Sequence, residues 1–172
     1  MKAQNEFVLA ISGFKPGLRE FDFLVDDTFF NQFENAPIQK ADVKVHLYFD
    51  KRPSFMELTF EFEGTVHVDC DRCLEFFDLP IQGNSSLVVK SAEEDAVSDD
   101  ENVILISKND TELNLSKNVY DMVLLAIPMS KNHENAGAEC DENITKYLTQ
   151  KPEEKPKSGK SPWDILKRFG KN

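Results

Sequence analysis

Residues 41–50, Ala41-Asp42-Val43-Lys44-Val45-His46-Leu47-Tyr48-Phe49-Asp50, alternate apolar and polar side chains without a break. Successive side chains of an extended chain point to opposite faces. The alternation therefore predicts a strand with Ala41, Val43, Val45, Leu47 and Phe49 on a buried face and Asp42, Lys44, His46, Tyr48 and Asp50 on the other. Lys51-Arg52-Pro53-Ser54 reads as a turn. Phe55 to Glu63 reads as the hairpin partner, with Met56, Leu58, Phe60 and Phe62 toward the core. This hairpin points to a β-rich fold, and the segments on either side extend it.

Upstream, Phe7 to Ile11 is short and apolar, and the alternating Arg19 to Val25 reads as a second strand. Asp26-Asp27-Thr28 offers N-caps for a short helix through Phe33, ending before Pro37. Downstream, Gly64 reads as a bulge or bend before the strand Thr65 to Asp69. There Val66, Val68 and Cys70 share one face, and His67 falls on the other as a surface residue. Phe76 to Ile81, Ser85 to Lys90 and Val103 to Ile106 read as further strands, with a short edge at Glu112 to Leu115. Ser116 to Ile127 is the clearest helix. Ser116 stands where a cap belongs, Pro128 ends it, and Val119, Tyr120, Val123, Leu124 and Ile127 recur at helical spacing. Its second half is apolar nearly all round and is expected to be buried against the sheet. The fold class predicted is α+β: a mainly antiparallel, curved or barrel-like sheet with one buried helix and a flexible C-terminal tail.

Asp69-Cys70-Asp71-Arg72-Cys73-Leu74 closes the strand run with two of the chain's three cysteines in C-x-x-C spacing. Two thiolates so spaced can grip one metal ion from a tight turn. The same spacing serves redox chemistry, usually between a strand and a helix, but Pro80 and the aromatics that follow argue against a helix here. Two inert thiols are the third reading. His133 and Cys140 complete a Cys3His donor set of the kind zinc takes, although their x6 gap is wider than in familiar zinc ribbons.

The chain has 172 residues, and its 40% hydrophobic content, with 14 Phe, suffices for a packed core. The expected division is a β-rich domain over 1–149 and a basic linker with a short tail helix over 150–172. No apolar run approaches the ~18 residues that span a membrane, so no membrane partner is expected. The N-terminus lacks the charged and apolar regions of a secretory signal. Three cysteines do not form a disulfide framework, and together these features predict a reduced, cytoplasmic protein.

Net charge is −11. Such a surface repels a nucleic-acid backbone, because that affinity rests largely on Lys and Arg displacing counterions. It suits a basic protein partner, whose encounter complementary fields accelerate. Residues 91–101 are acidic with almost no apolar side chains and read as a solvated, mobile loop. After a polar stretch with a weakly helical 143–148, residues 151–160 form a Lys/Pro/Glu-rich linker. Ser161 and Pro162 then open a short helix. Residues 151–172 hold seven Lys/Arg and three acids, a net of +4, which leaves −15 for residues 1–150. Trp163, Lys167, Arg168 and Lys171 are the candidate partner-binding residues of this tail.

Taken in order, these landmarks resemble the YceD family, the large ribosomal RNA subunit accumulation proteins of bacteria and plastids. The β-rich half leading to Cys70-Asp71-Arg72-Cys73-Leu74 carries the resemblance, as do Leu113-Asn114-Leu115-Ser116 opening the helix and Leu125-Ala126-Ile127-Pro128 closing it. The tail with Pro162 and Leu166 is similar to the family's usual ending but lacks its Asp and Arg. Family members often carry further cysteines after the helix, where this chain has only His133 and Cys140. The resemblance implies a non-catalytic part in synthesis, processing or stability of the large (23S) ribosomal RNA. The family's gene neighbourhoods imply a small basic ribosomal protein of the large subunit as partner.

Three function classes follow: a binding factor of ribosome assembly, a metal-dependent enzyme acting on ribosomal RNA, and a zinc-stabilised nucleic-acid module. An RNA-cleaving enzyme needs convergent carboxylates or a His/Lys pair near a metal. The only dense carboxylates stand in the 91–101 loop, a poor place to hold ions accurately. Net charge opposes the nucleic-acid module everywhere except the tail. The binding factor is the reading these residues favour.

Overall fold

The structure, a computed structural model, describes residues 7–34, 36–38, 40–92, 100, 102–141, 144 and 146. The expected linker and helix at 151–169, the tail residues Trp163, Lys167, Arg168 and Lys171, and most of 91–101 and 143–148 lie outside the described residues. The chain forms two units, Met1–Cys140 and Asp141–Asn172, and the first holds every element named below. In order they are β1 (Val8–Leu9), β2 (Gly17–Val25), α1 (Asp27–Phe30), β3 (Ala41–Lys51), β4 (Phe55–Asp69), β5 (Phe76–Ala92), β6 (Val103–Ser107), β7 (Leu113–Asn114) and α2 (Ser116–Leu125).

Five strands form one sheet in the order β2-β3-β4-β5-β6, and β1 pairs with β7 in a separate ribbon. All neighbours are antiparallel except β5 and β6, which run parallel. The sheet is open, which corrects the expectation of a barrel-like sheet. Closure would require β2 and β6 to pair, and β6, five residues against the seventeen of β5, ends the sheet as a short edge.

The alternation at 41–50 is realised as read: Val43, Val45, Leu47 and Phe49 are buried and meet Leu58, Phe60, Val66 and Leu79 of the next strands in one core. Two expected breaks are absent. Phe55–Glu63 and Thr65–Asp69 are a single fifteen-residue strand, and its register with β3 and β5 passes through Gly64 without a bulge. Gly64 serves close approach instead: a Cβ there would stand 2.1 Å from the Asp42 carbonyl oxygen. Phe76–Ile81 and Ser85–Lys90 likewise belong to one strand, in which Gly83 lies opposite Phe62 and leaves room for its ring.

Helix α1 starts as its sequence dictates, with the Asp26 carboxylate accepting from the amides of Thr28 and Phe29 at 2.9 and 3.1 Å. The Thr28 hydroxyl, donating to the same carboxylate at 2.6 Å, is the main cause that holds the Asp26 carboxyl below its ordinary pKa, and the two amides add to it. Phe30 and Phe33 meet Tyr120 of α2. Helix α2 differs from expectation at both ends. Its first amide is satisfied by the Asn114 side chain at 2.9 Å, and the buried Ser116 hydroxyl caps nothing. It ends at Leu125 rather than Ile127, because a residue before proline avoids the helical region. Only one side is buried, through Val119, Met122 and Val123, while Leu125 is 85% exposed.

Candidate metal centre

The four expected ligands converge. The Cys70, Cys73 and Cys140 sulfurs and a ring nitrogen of His133 all lie within 4.8 Å of one another. Cys70 Sγ is 3.7 Å from Cys140 Sγ, Cys73 Sγ is 3.5 Å from His133 Nδ1, and Cys140 Sγ is 3.6 Å from the same nitrogen. A tetrahedral zinc with Zn–S of ~2.3 Å and Zn–N of ~2.0–2.1 Å places its sulfurs ~3.8 Å apart and sulfur and nitrogen ~3.5 Å apart. The donor set and these three spacings fit that ion.

Local structure explains why the two halves meet. Strand β4 ends at Asp69, and the chain turns back into β5 through a tight knuckle. The Leu74 amide donates to the Cys70 carbonyl and the Cys70 amide to the Glu75 carbonyl, both at 2.9 Å. The Arg72 amide points at Cys70 Sγ from 3.4 Å. Leu74 leaves the knuckle with φ of 62°, the one described non-glycine residue at positive φ. Both cysteines of this turn are buried.

The second half is a 3-10 turn, His133–Ala136, opened by a reciprocal capping box between Asn132 and Asn135. Gly137 closes it at φ 71°, and the Ala138 amide returns to the His133 carbonyl at 2.9 Å. That reversal brings Cys140 back beside His133 and accounts for the wide x6 gap. The His133 ring rests against buried Phe77, with centroids 4.6 Å apart.

Charged residues that the sequence reading passed over bind one half to the other. The Asp71 amide donates to the Lys131 carbonyl at 2.7 Å, and the Lys131 amide donates to the Asp71 carboxylate at 2.6 Å. The Lys131 ammonium reaches Asp69 at 3.1 Å and holds that carboxyl below its ordinary range. Arg72 pairs with Glu134. The signal was present in complementary charges between one ligand pair and beside the other, but pairing across some sixty residues has no local signature.

The electrostatics suit a cation. Burial opposes ionisation of Cys70, yet amides of Cys73, Arg72 and His133 together with the Cys73 thiol outweigh it and bring its pKa from 9.0 to about 6. Burial and the neighbouring Cys70 sulfur push the Cys140 thiol up. Sulfurs this close resist joint ionisation until a positive charge stands among them. His67, by contrast, takes no part: it is bonded to Asp78 at 2.9 Å and stacked on Phe76, on the opposite face of β4 from Cys70.

Among the described residues no helix is long and apolar enough to cross a membrane. Searches of curated proteins and of solved structures yield no match. Comparison with protein families matches residues 58–170, from near the start of β4 past both ligand pairs, to the family described as large ribosomal RNA subunit accumulation protein YceD. Since that match covers well over half of the chain, this protein belongs to the YceD family.

Proposed function

We propose that this protein is a non-catalytic factor that supports accumulation or processing of the large-subunit ribosomal RNA by binding a basic ribosomal protein or pre-ribosomal RNA. The observation that carries the non-catalytic part is the donor set. Four protein ligands fill a tetrahedral shell, whereas a catalytic zinc keeps one position for water or substrate. A zinc ion bound by Cys70, Cys73, His133 and Cys140 would lock the β4–β5 turn to the segment after α2 and supply folding energy. The involvement in ribosomal RNA accumulation follows from the family.

The acidic body is the surface for a basic protein, and the basic tail with Trp163, Lys167, Arg168 and Lys171 is the element for RNA or a ribosome-associated partner. Depletion of the protein, with the ratio of mature large to small ribosomal RNA measured alongside precursors, tests the reading. A fall in that ratio, restored by the full chain, is the expected result. An unchanged ratio overturns it. Removal of residues 151–172 should weaken association with large-subunit precursors and flatten its salt dependence, because phosphate contacts steepen that dependence.

A further inference from the structure

Two adjoining clefts lie on the outer face of the sheet, on either side of His67. One, of about 450 Å³, is walled by the carboxylates of Asp27, Asp42 and Asp78. The other, of about 260 Å³, is walled by Pro37 and Phe76, with Asp69 at its edge. His67 and Lys40 line both. The His67 ring is held between them by the Asp78 bond at 2.9 Å and by a near-parallel stack on Phe76, with centroids 5.3 Å apart and planes at 12°. A carboxylate-walled space and an apolar slot thus share one wall.

Phe76 is 68% exposed, and Leu74, two residues before it, is 73% exposed. Burial does not account for either side chain. Nor does backbone preference account for Leu74, since its φ of 62° favours glycine or asparagine. The knuckle bond from the Leu74 amide to the Cys70 carbonyl holds this unfavoured leucine in place. A backbone outlier that presents an exposed apolar side chain is a motive for seeking a function there.

We propose that these two clefts, with Phe76 at the apolar end and the exposed Leu74 two residues before it in the chain, are the docking site for a lysine- or arginine-rich segment of a partner protein that carries an adjoining apolar side chain. The apolar residue enters the slot beside Phe76, and the neighbouring cationic residue enters the space between Asp42 and Asp78. The smaller cleft lies below the ~300–1,000 Å³ of small-molecule sites and suits a single side chain. Three carboxylates in the larger one exclude an RNA backbone and select a cation. Buried aromatic anchors beside charged pairs are the usual centres of such interfaces. This inference rests on the reading of the protein as a binder of basic partners and places that contact on the molecule.

The test uses the full chain loaded with zinc and three fluorescent peptides: one lysine/arginine-rich with a central leucine, one with the leucine replaced by serine, and one acidic with the leucine kept. Binding is followed by anisotropy. The first peptide should bind, the second about tenfold more weakly, and the third not at all. L74S/F76S and D42N/D78N should each lower affinity for the first peptide by about tenfold, while E61Q/E63Q, elsewhere on the sheet, should leave it unchanged. Melting temperatures close to wild type separate lost contact from lost fold, and L74G, which relieves the backbone, gives a second variant that should be folded and weakened. If the first peptide binds and none of the cleft variants weakens it, basic partners dock elsewhere and this site is wrong. If neither basic peptide binds, the reading of a basic partner falls together with the site. Binding of an RNA oligonucleotide that is lost in L74S/F76S would also overturn the proposal.

Discussion

Asp71 and Lys131, sixty residues apart, are joined by a reciprocal pair of hydrogen bonds: amide to carbonyl at 2.7 Å and amide to carboxylate at 2.6 Å. Asp71 sits between the two cysteines of the knuckle, and Lys131 stands two residues before His133. The pair therefore sets the distance between the halves of the ligand set before any ion arrives. Replacing Asp71 with alanine removes the carboxylate acceptor and should lower metal affinity about tenfold or more, as loss of supporting bonds around metal ligands does. Asp71→Asn, which keeps an acceptor, should retain most of it. Competition titration with a chromophoric chelator measures both, and equal affinity in wild type and Asp71→Ala would refute the role.

Protein purified without chelator should carry near-stoichiometric zinc, and Cys73→Ser should lose it. Removal of zinc should lower the melting temperature, because a structural ion contributes folding energy directly. Elemental analysis with thermal melts decides the matter; a metal-free wild type whose melting ignores added zinc would remove the ion from the account.

The glycines separate two mechanisms. Gly64→Ala sets a methyl 2.1 Å from the Asp42 carbonyl, against backbone that cannot swing aside, and should cost about 3 kcal/mol or more. Gly137→Ala meets nothing within 4 Å and suffers only its φ of 71°, so about 1 kcal/mol is expected. Leu74→Gly, at φ 62°, should stabilise by about 1 kcal/mol. Denaturant unfolding ranks the three, and a Gly64→Ala variant as stable as Gly137→Ala contradicts the close approach.

Burial along the second helix predicts unequal costs. Leu115, fully buried at its start, should lose about 2–5 kcal/mol on change to alanine. Leu124 is half-buried and should lose less, and Leu125, 85% exposed, should change stability by at most about 0.5 kcal/mol. Equal losses at the three positions would mean that the helix buries a different side.

His46 supplies a pH dependence. Its bond to Asp22 at 2.7 Å, with Glu20 and Glu61 nearby, raises its pKa above 6.5. A raised folded pKa means that protonation favours the fold. The contribution is complete below 6.5 and disappears as pH rises through the folded value. Titration of the ring by NMR should show the raised pKa in wild type and a return toward 6.5 in Asp22→Asn. A wild-type value at or below 6.5 would contradict the geometry.

Local pattern was enough to find the extended segments and the start of the first helix. The alternation at 41–50 and the carboxylate of Asp26 act through their immediate neighbours, so they read directly from the chain. The ligand types Cys70, Cys73, His133 and Cys140 were legible for the same reason, as chemistry carried by the residues themselves. Where glycine interrupts a pattern the local reading misled. Gly64 looked like a break because its role depends on the Asp42 carbonyl of another strand.

Only the tertiary structure decided whether the ligands meet. Cys70 and Cys140 lie seventy residues apart, and their sulfurs approach to 3.7 Å. That approach depends on the Asp71–Lys131 bonds, the Arg72–Glu134 pair and the reversal at Gly137, none of which has a sequence period. The open sheet, the parallel β6 and the exposed sides of Leu74 and Leu125 were likewise settled by which surfaces found partners. The residue types and periodicities along this chain determined its strands, its helix and its donor atoms. Their assembly into one centre and one sheet was decided by packing between distant segments, because such contacts depend on the path of the whole chain.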